Sequence, residues 1–179
     1  NKPRANALSL KIDWIDLFSY AGEMETCMYA GAIKEDDGSL KGWAQFDQTD
    51  RQKQSIMSVK QDVKLLNEHI IAYSVEKPLT ELIKKRALRA ADVDHFLPHY
   101  SSGFFRDKVY AGMKRVGMDI PQDRWFTNLS TKGNTGSASI FIMLEELFNS
   151  GSIEKDQKIL CYIPESGRFS SSFMQLTAV

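Results

Sequence analysis

The sequence predicts an α/β layered domain, a mixed sheet of about five strands with helices on its faces. Three observations carry this. From residue 55 onward, short strand-like apolar runs alternate with apolar stripes of helical period. Before that, the chain is extended and rich in turn signals. Its 179 residues fit one domain of roughly 150 residues and can bury about 70% of the unfolded surface without staples.

The elements follow in order. Residues 7–18 alternate loosely and are rich in Leu, Ile and Trp, a strand pattern. Residues 28–33 are a short apolar run, Asp37-Gly38 a hairpin turn, and residues 40–46 the returning strand. This strand- and hairpin-rich opening region, 1–54, is acidic, while 55–179 is read as the helix–strand layers. Ile56, Val59, Val63, Leu66, Ile70 and Tyr73 recur at spacings of three and four, predicting one long helix. Pro78 opens a second helix with Leu79, Leu82 and Ile83 on one side and Lys84, Lys85 and Arg86 on the other. Residues 93–99 read as a strand, and Phe105, Val109, Met113 and Val116 as a helical stripe. Residues 125–129 read as a short strand. Ile140, Met143, Leu144, Leu147 and Phe148 make a third stripe, ended by Gly151. Residues 159–163 and 173–179 are the last strands.

Composition excludes several classes. Lys plus Arg is 23 and Asp plus Glu is 23, so neither a strongly basic nucleic-acid binder nor a polyanionic tail is expected. An apolar share of 42% is too high for a disordered chain. No apolar run is long enough to span a membrane. Cys27 and Cys161 cannot build a disulfide framework and point to a reducing, cytoplasmic setting. The N-terminus, Asn-Lys-Pro-Arg, is polar and lacks an initiator Met. The chain is therefore expected to be a piece of something longer and to carry no signal peptide.

The common phosphate and dinucleotide cradles are missing. So is the Gly-x-Ser-x-Gly elbow, and the two cysteines lie too far apart for a zinc site, so no metal is expected. His69, on a helix, and His95, inside a strand, read as structural. His99 follows Pro98 at the end of an apolar strand and precedes a polar turn, where reacting groups gather in α/β sheets. Residues 133–139, Gly-Asn-Thr-Gly-Ser-Ala-Ser, are almost all small. They serve either as a helix N-cap through Asn134 or Thr135, or as bare backbone that lets a substrate reach Asn134 and the helix N-terminus. In the second reading His99 and Asn134 are two donors aimed at one developing oxyanion. Cys161 sits in an apolar strand, and Cys27 has acidic neighbours. Neither has the surroundings of a nucleophile. Arg168, in the turn 165–170, is either an ion-pair partner or a cleft residue. The cluster that includes Lys84, Lys85, Arg86, Arg89, Arg106, Lys108, Lys114 and Arg115 reads as solvated helix faces, or as a patch suited to a phosphorylated cofactor or an acidic carrier protein.

Residues 93–99, Val-Asp-His-Phe-Leu-Pro-His, followed by 133–139 and two final strands around a Gly-containing turn, resemble the C-terminal half of β-ketoacyl-acyl-carrier-protein synthase III, a thiolase-fold condensing enzyme. The details at 98–102, 125–129 and 164–169 are most similar to the branch forming dialkylresorcinols. The resemblance implies a thiolase-like half-domain and a Cys-His-Asn site for Claisen-type condensation of acyl thioesters, in fatty-acid or polyketide synthesis. His99 matches the family histidine and Asn134 the asparagine, while the nucleophilic Cys belongs to a missing N-terminal half, so the fragment alone is expected to be inactive. Tyr100, Gly133, Gly167, Arg168 and Phe169 are implied to border the substrate pocket, and Arg106 and Lys108 to contact a carrier protein. The implied substrates are acyl-CoA or acyl-carrier-protein thioesters, with no bound cofactor. The implied partners are the carrier protein, the N-terminal half and a second copy in a homodimer. Two departures stand out: the family's His-Gln-Ala-Asn is here His99-Tyr100-Ser101-Ser102, and the C-terminal glycine-rich turn keeps only Gly167. A non-condensing thioester acyltransferase or hydrolase, and a catalytically silent docking module, stay open as alternatives.

Overall fold

In the computed structural model, which describes residues 7–179, the first long extended run pairs with the last one. Strand β1 (Leu10–Ser19) lies antiparallel to β8 (Ser170–Ala178), with a register shift between Ile12 and Trp14. β8 also pairs antiparallel with β7 (Lys158–Glu165), which runs parallel to β6 (His95–Pro98). The main sheet is thus mixed, in the order β1-β8-β7-β6. Between β1 and the helices lie β2 (Met28–Tyr29), β3 (Ala32–Lys34), β4 (Leu40–Gly42), helix α1 (Gln48–Lys53) and β5 (Lys60–Gln61). β2 pairs with β5 and β3 with β4. Then come α2 (Val63–Ile71), α3 (Lys77–Arg86), α4 (Arg106–Arg115), α5 (Leu129–Lys132) and α6 (Ser139–Asn149).

Each face of the sheet is covered by the stripe that the periodicity marks. Val75, Leu79, Leu82, Val109 and Met113 pack on Phe96, Leu160, Tyr162 and Phe173. Ile140, Met143 and Leu147 of α6 cover Leu97, Ile159, Cys161 and Leu176 on the other face. Buried Asp16 of β1 accepts from Lys85 Nζ at 2.5 Å and Arg86 Nε at 2.9 Å, so the basic end of α3 is tied to the sheet edge rather than simply solvated. Among the described residues, no helix is long and apolar enough to cross a membrane.

Four expectations change. The main sheet has four strands rather than about five. The stretch 125–129 meets β6 only through a bridge at Trp125, with Phe126 N donating to Phe96 O at 2.9 Å. The Trp125 indole then turns inward to Ile120 O, and the chain curls into α5. The helix expected from Ile56 begins only at Val63, because Asp62 caps it by accepting from Leu65 N at 2.9 Å. Ile56 is buried for a different reason, in an irregular turn after Ser55 at φ +47°. Residues 48–53 form a helix capped by Asp47, which accepts from Asp50 N at 2.8 Å. Pro78 does sit in the first turn of α3, as expected, but α3 is not set apart from α2 by a break. A π-helical turn, Ala72–Glu76, joins α2 to α3, and the wide turn makes room for the proline ring and its missing N–H.

Candidate active site

β6 and β7 run parallel, so their carboxyl ends lie side by side. His99, the residue after β6, is held there by its backbone N–H, which donates to Tyr162 O at 2.8 Å. The side chain is buried, with 8% of the residue exposed. Its ring nitrogens make no hydrogen bond to any described residue. Burial pushes the imidazole below its ordinary value, and the negative charge of Glu165 only partly opposes that. The ring is therefore neutral near pH 7.

Asn134 arrives from the other side. Gly133 takes φ +74° after α5, a conformation that favours glycine. Asn134 Oδ1 then accepts from Gly136 N at 2.9 Å, and Thr135 N donates to Ser139 Oγ at 3.1 Å. The oxygen of the amide is thus engaged, and Nδ2 has no hydrogen-bond partner among the described residues. Neither Asn134 nor Thr135 is the helix cap. A 3₁₀ turn, Gly136–Ala138, intervenes, and Ala138 takes the cap position of α6.

His99 and Asn134 line one cavity of about 270 Å³. Its apolar wall comes from Leu66, Ile70, Ile71, Phe105 and Val109, and its polar rim from Gln61, Ser101, Glu165 and Ser166. Tyr100 lines it too, with its hydroxyl accepting from Arg106 Nη1 at 3.3 Å. Arg106 is itself held by Gln122 Oε1 at 2.8 Å and lies over the Trp125 ring, so it braces Tyr100. Lys108 Nζ sits 3.9 Å from the Phe104 ring centroid. Gly133 borders a much smaller recess that shares His99 and Tyr100.

The turn after β7 departs from expectation. Pro164, Glu165 and Ser166 line the cavity, whereas Gly167, Arg168 and Phe169 do not. Gly167 O accepts from Cys27 N at 2.9 Å, so the turn folds onto the Cys27 segment. Phe169 is fully buried at φ +52° beside His69 and Tyr73, and Arg168 is exposed. Gln61 and the Ile70–Ile71 wall carry no local sequence signal, since only the fold carries them to His99. His95 is structural, with Nε2 3.0 Å from Gln157 Oε1. Both cysteines are fully buried and lie outside the cavity lining. Burial, reinforced by Asp62, pushes the Cys27 thiol up to about 11, and burial raises Cys161 further. Neither is a thiolate near neutrality.

Residues 83–163 match the family described as 3-oxoacyl-[acyl-carrier-protein (ACP)] synthase III, C terminal. This segment belongs to the β-ketoacyl-ACP synthase III family. A synthase III of Clostridium perfringens (strain ATCC 13124) is 35% identical over 86 residues, which is 48% of this chain and 25% of that protein. The synthase III of Thermus thermophilus superposes with a TM-score of 0.67 at 20% identity, over 98% of this chain and 48% of that one. AbyA1, a tetronic acid condensing enzyme, gives 0.67 at 17% identity, over 94% and 47%. The chain thus spans a quarter of that curated relative and just under half of these solved chains. The fold is the thiolase-like fold of synthase III.

Proposed function

We propose that this chain is the C-terminal part of a condensing acyltransferase that joins two acyl thioesters by Claisen-type carbon–carbon bond formation. The observation that carries it is the convergence of the neutral, unpartnered His99 ring and the free amide end of Asn134 on one cavity. When the second thioester becomes an enolate, negative charge collects on its thioester oxygen. Two neutral donors fixed near that oxygen, His99 Nε2–H and Asn134 Nδ2–H, stabilise it, and each such donor is worth about 10²–10³ in rate.

The acyl group of the first substrate is carried by a Cys in the N-terminal half of the same enzyme, because Cys27 and Cys161 are sealed in the core. That half covers the apolar side chains left exposed here, Ile15 and Leu17 on β1 and Phe141 on α6. Coenzyme A or carrier-protein thioesters deliver the acyl chains, and the complete enzyme is a homodimer. A polyketide or dialkylresorcinol setting is supported by the residues at 98–102 and 164–169 and by the similarity to AbyA1. The test uses the full-length enzyme with His99→Ala and Asn134→Ala, following acyl-enzyme formation by intact mass beside product formation. Both variants are expected to lose condensation by about 10²-fold or more while acylation persists. Equal loss of both steps moves the donors to the first step, and normal condensation makes the pair structural.

A further inference from the structure

Asn134 sits in a stretch that packing within this chain does not hold. Residues 131–138 are exposed, and a Cβ added at Gly133 or Gly136 would touch nothing. Hydrogen bonds to α6 tie the stretch down instead. Ahead of it, buried Asn128 donates through Nδ2 to Glu146 Oε2 at 2.6 Å. Beyond Asn134, Thr135 N donates to Ser139 Oγ at 3.1 Å, and the two hydroxyl oxygens of Thr135 and Ser139 lie 2.8 Å apart.

Ser139 opens α6 and is buried, yet its hydroxyl does not cap its own helix. The cap position is Ala138, and no side chain caps α6. The Ser139 oxygen instead reaches back four residues to the exposed stretch. The N–H that it accepts belongs to the planar peptide unit joining Asn134 to Thr135. Fixing that plane fixes the direction in which the Asn134 side chain leaves the backbone. The bond from Gly136 N to Asn134 Oδ1, 2.9 Å, then sets the rotation of the amide and leaves Nδ2 free at the cavity.

We infer that Ser139 is a positioning residue for the condensation, holding the Asn134 amide where the enolate oxygen forms. The inference rests on the condensing reading above. An oxyanion donor works only within about 2.7–3.1 Å of the developing charge, so its support has to be rigid. Without Ser139 Oγ, the Thr135 N–H loses its acceptor, the peptide plane turns more freely, and Nδ2 spends less time at that distance. The apolar wall that binds the thioester, Leu66, Ile70 and Phe105, is untouched. The loss therefore falls on the charged transition state rather than on affinity.

The test uses the full-length enzyme with octanoyl-CoA as acyl donor. The second thioester is whichever of malonyl-CoA and 3-oxooctanoyl-N-acetylcysteamine the wild type condenses. Ser139→Ala removes one oxygen, and its thermal unfolding midpoint serves as the folding check. If it does not fold, Ser139→Cys, which keeps the shape but accepts only weakly, takes its place. Condensation should fall by about 10–10²-fold, less than the 10²–10³ of a lost donor. The fall should appear equally in kcat and kcat/KM for the second thioester, the signature of an interaction made only in the transition state. Ser139→Thr, which restores the hydroxyl, should recover most of the rate. The deciding comparison is the double variant. With Asn134 already alanine there is no amide left to aim, so Asn134→Ala/Ser139→Ala should be no slower than Asn134→Ala. A serine with a merely structural role would multiply the two losses. Wild-type condensation in Ser139→Ala, or multiplied losses in the double variant, overturns the positioning role and leaves the donor pair standing. Normal condensation in Asn134→Ala instead overturns the donor pair, and this inference falls with it.

Discussion

The buried pair Ser74 and Tyr162 sets up a test with an asymmetric outcome. Ser74 Oγ lies 2.5 Å from Ile70 O and 2.6 Å from Tyr162 Oη. A serine has one hydroxyl proton, and Ile70 O can only accept, so the serine donates to Ile70 and the phenol donates to the serine. Serine and tyrosine are 0% and 2% exposed, so water cannot replace a lost partner. Tyr162→Phe deletes a donor and leaves a serine lone pair, at a cost of about 0.5–1.5 kcal/mol. Ser74→Ala strands the phenolic O–H without an acceptor, which costs about 1–3 kcal/mol for desolvation alone. The double variant removes the stranded hydroxyl, so it should be less destabilised than the sum of the singles. A coupling of about 1 kcal/mol lies within the range for direct partners. Urea unfolding gives these values from shifts in midpoint at constant slope. In a chain of this size each kcal/mol moves Tm by about 2–4 °C. If Ser74→Ala costs no more than Tyr162→Phe, or the two changes add, the donor assignment is wrong. Since Tyr162 walls the cavity and Ser74 sits in the π-helical turn beside it, the pair also holds the pocket wall to the sheet.

Two further outcomes follow from titration. Burial lowers the pKa of His99, so below about pH 6.5 the unfolded chain takes up a proton before the folded one does. Stability then falls with pH until the folded value is passed. His99→Gln should remove that part of the acid slope in urea unfolding measured from pH 7.5 to 5, and an unchanged slope would refute the buried neutral histidine. Cys27 and Cys161 should resist a thiol reagent such as dithiobis(nitrobenzoate) in the native protein at pH 8 and react once it is unfolded, because both are sealed and raised. Rapid native labelling of either would reopen it as a nucleophile.

Local pattern alone determined much of this protein. The stripe Ile140, Met143, Leu147 specified α6 and its buried face, because a 3.6-residue period leaves one way to bury those side chains. Pro98-His99 and Gly133-Asn134 marked the two site residues by their positions, after a strand and before a helix. What the sequence left open depends on contacts distant along the chain. The helix start moved to Val63 because Asp62 N also reaches Cys27 O, 35 residues back. The fifth strand was lost because Trp125 buries its ring and donates to Ile120 O instead of extending a ladder. Whether His99 is neutral, whether Asn134 presents its nitrogen, and whether Glu165 rather than Arg168 faces the cavity were decided only by tertiary structure. Burial and hydrogen-bond direction arise when segments far apart in sequence remove water from one another, and a local pattern does not encode which segments those are.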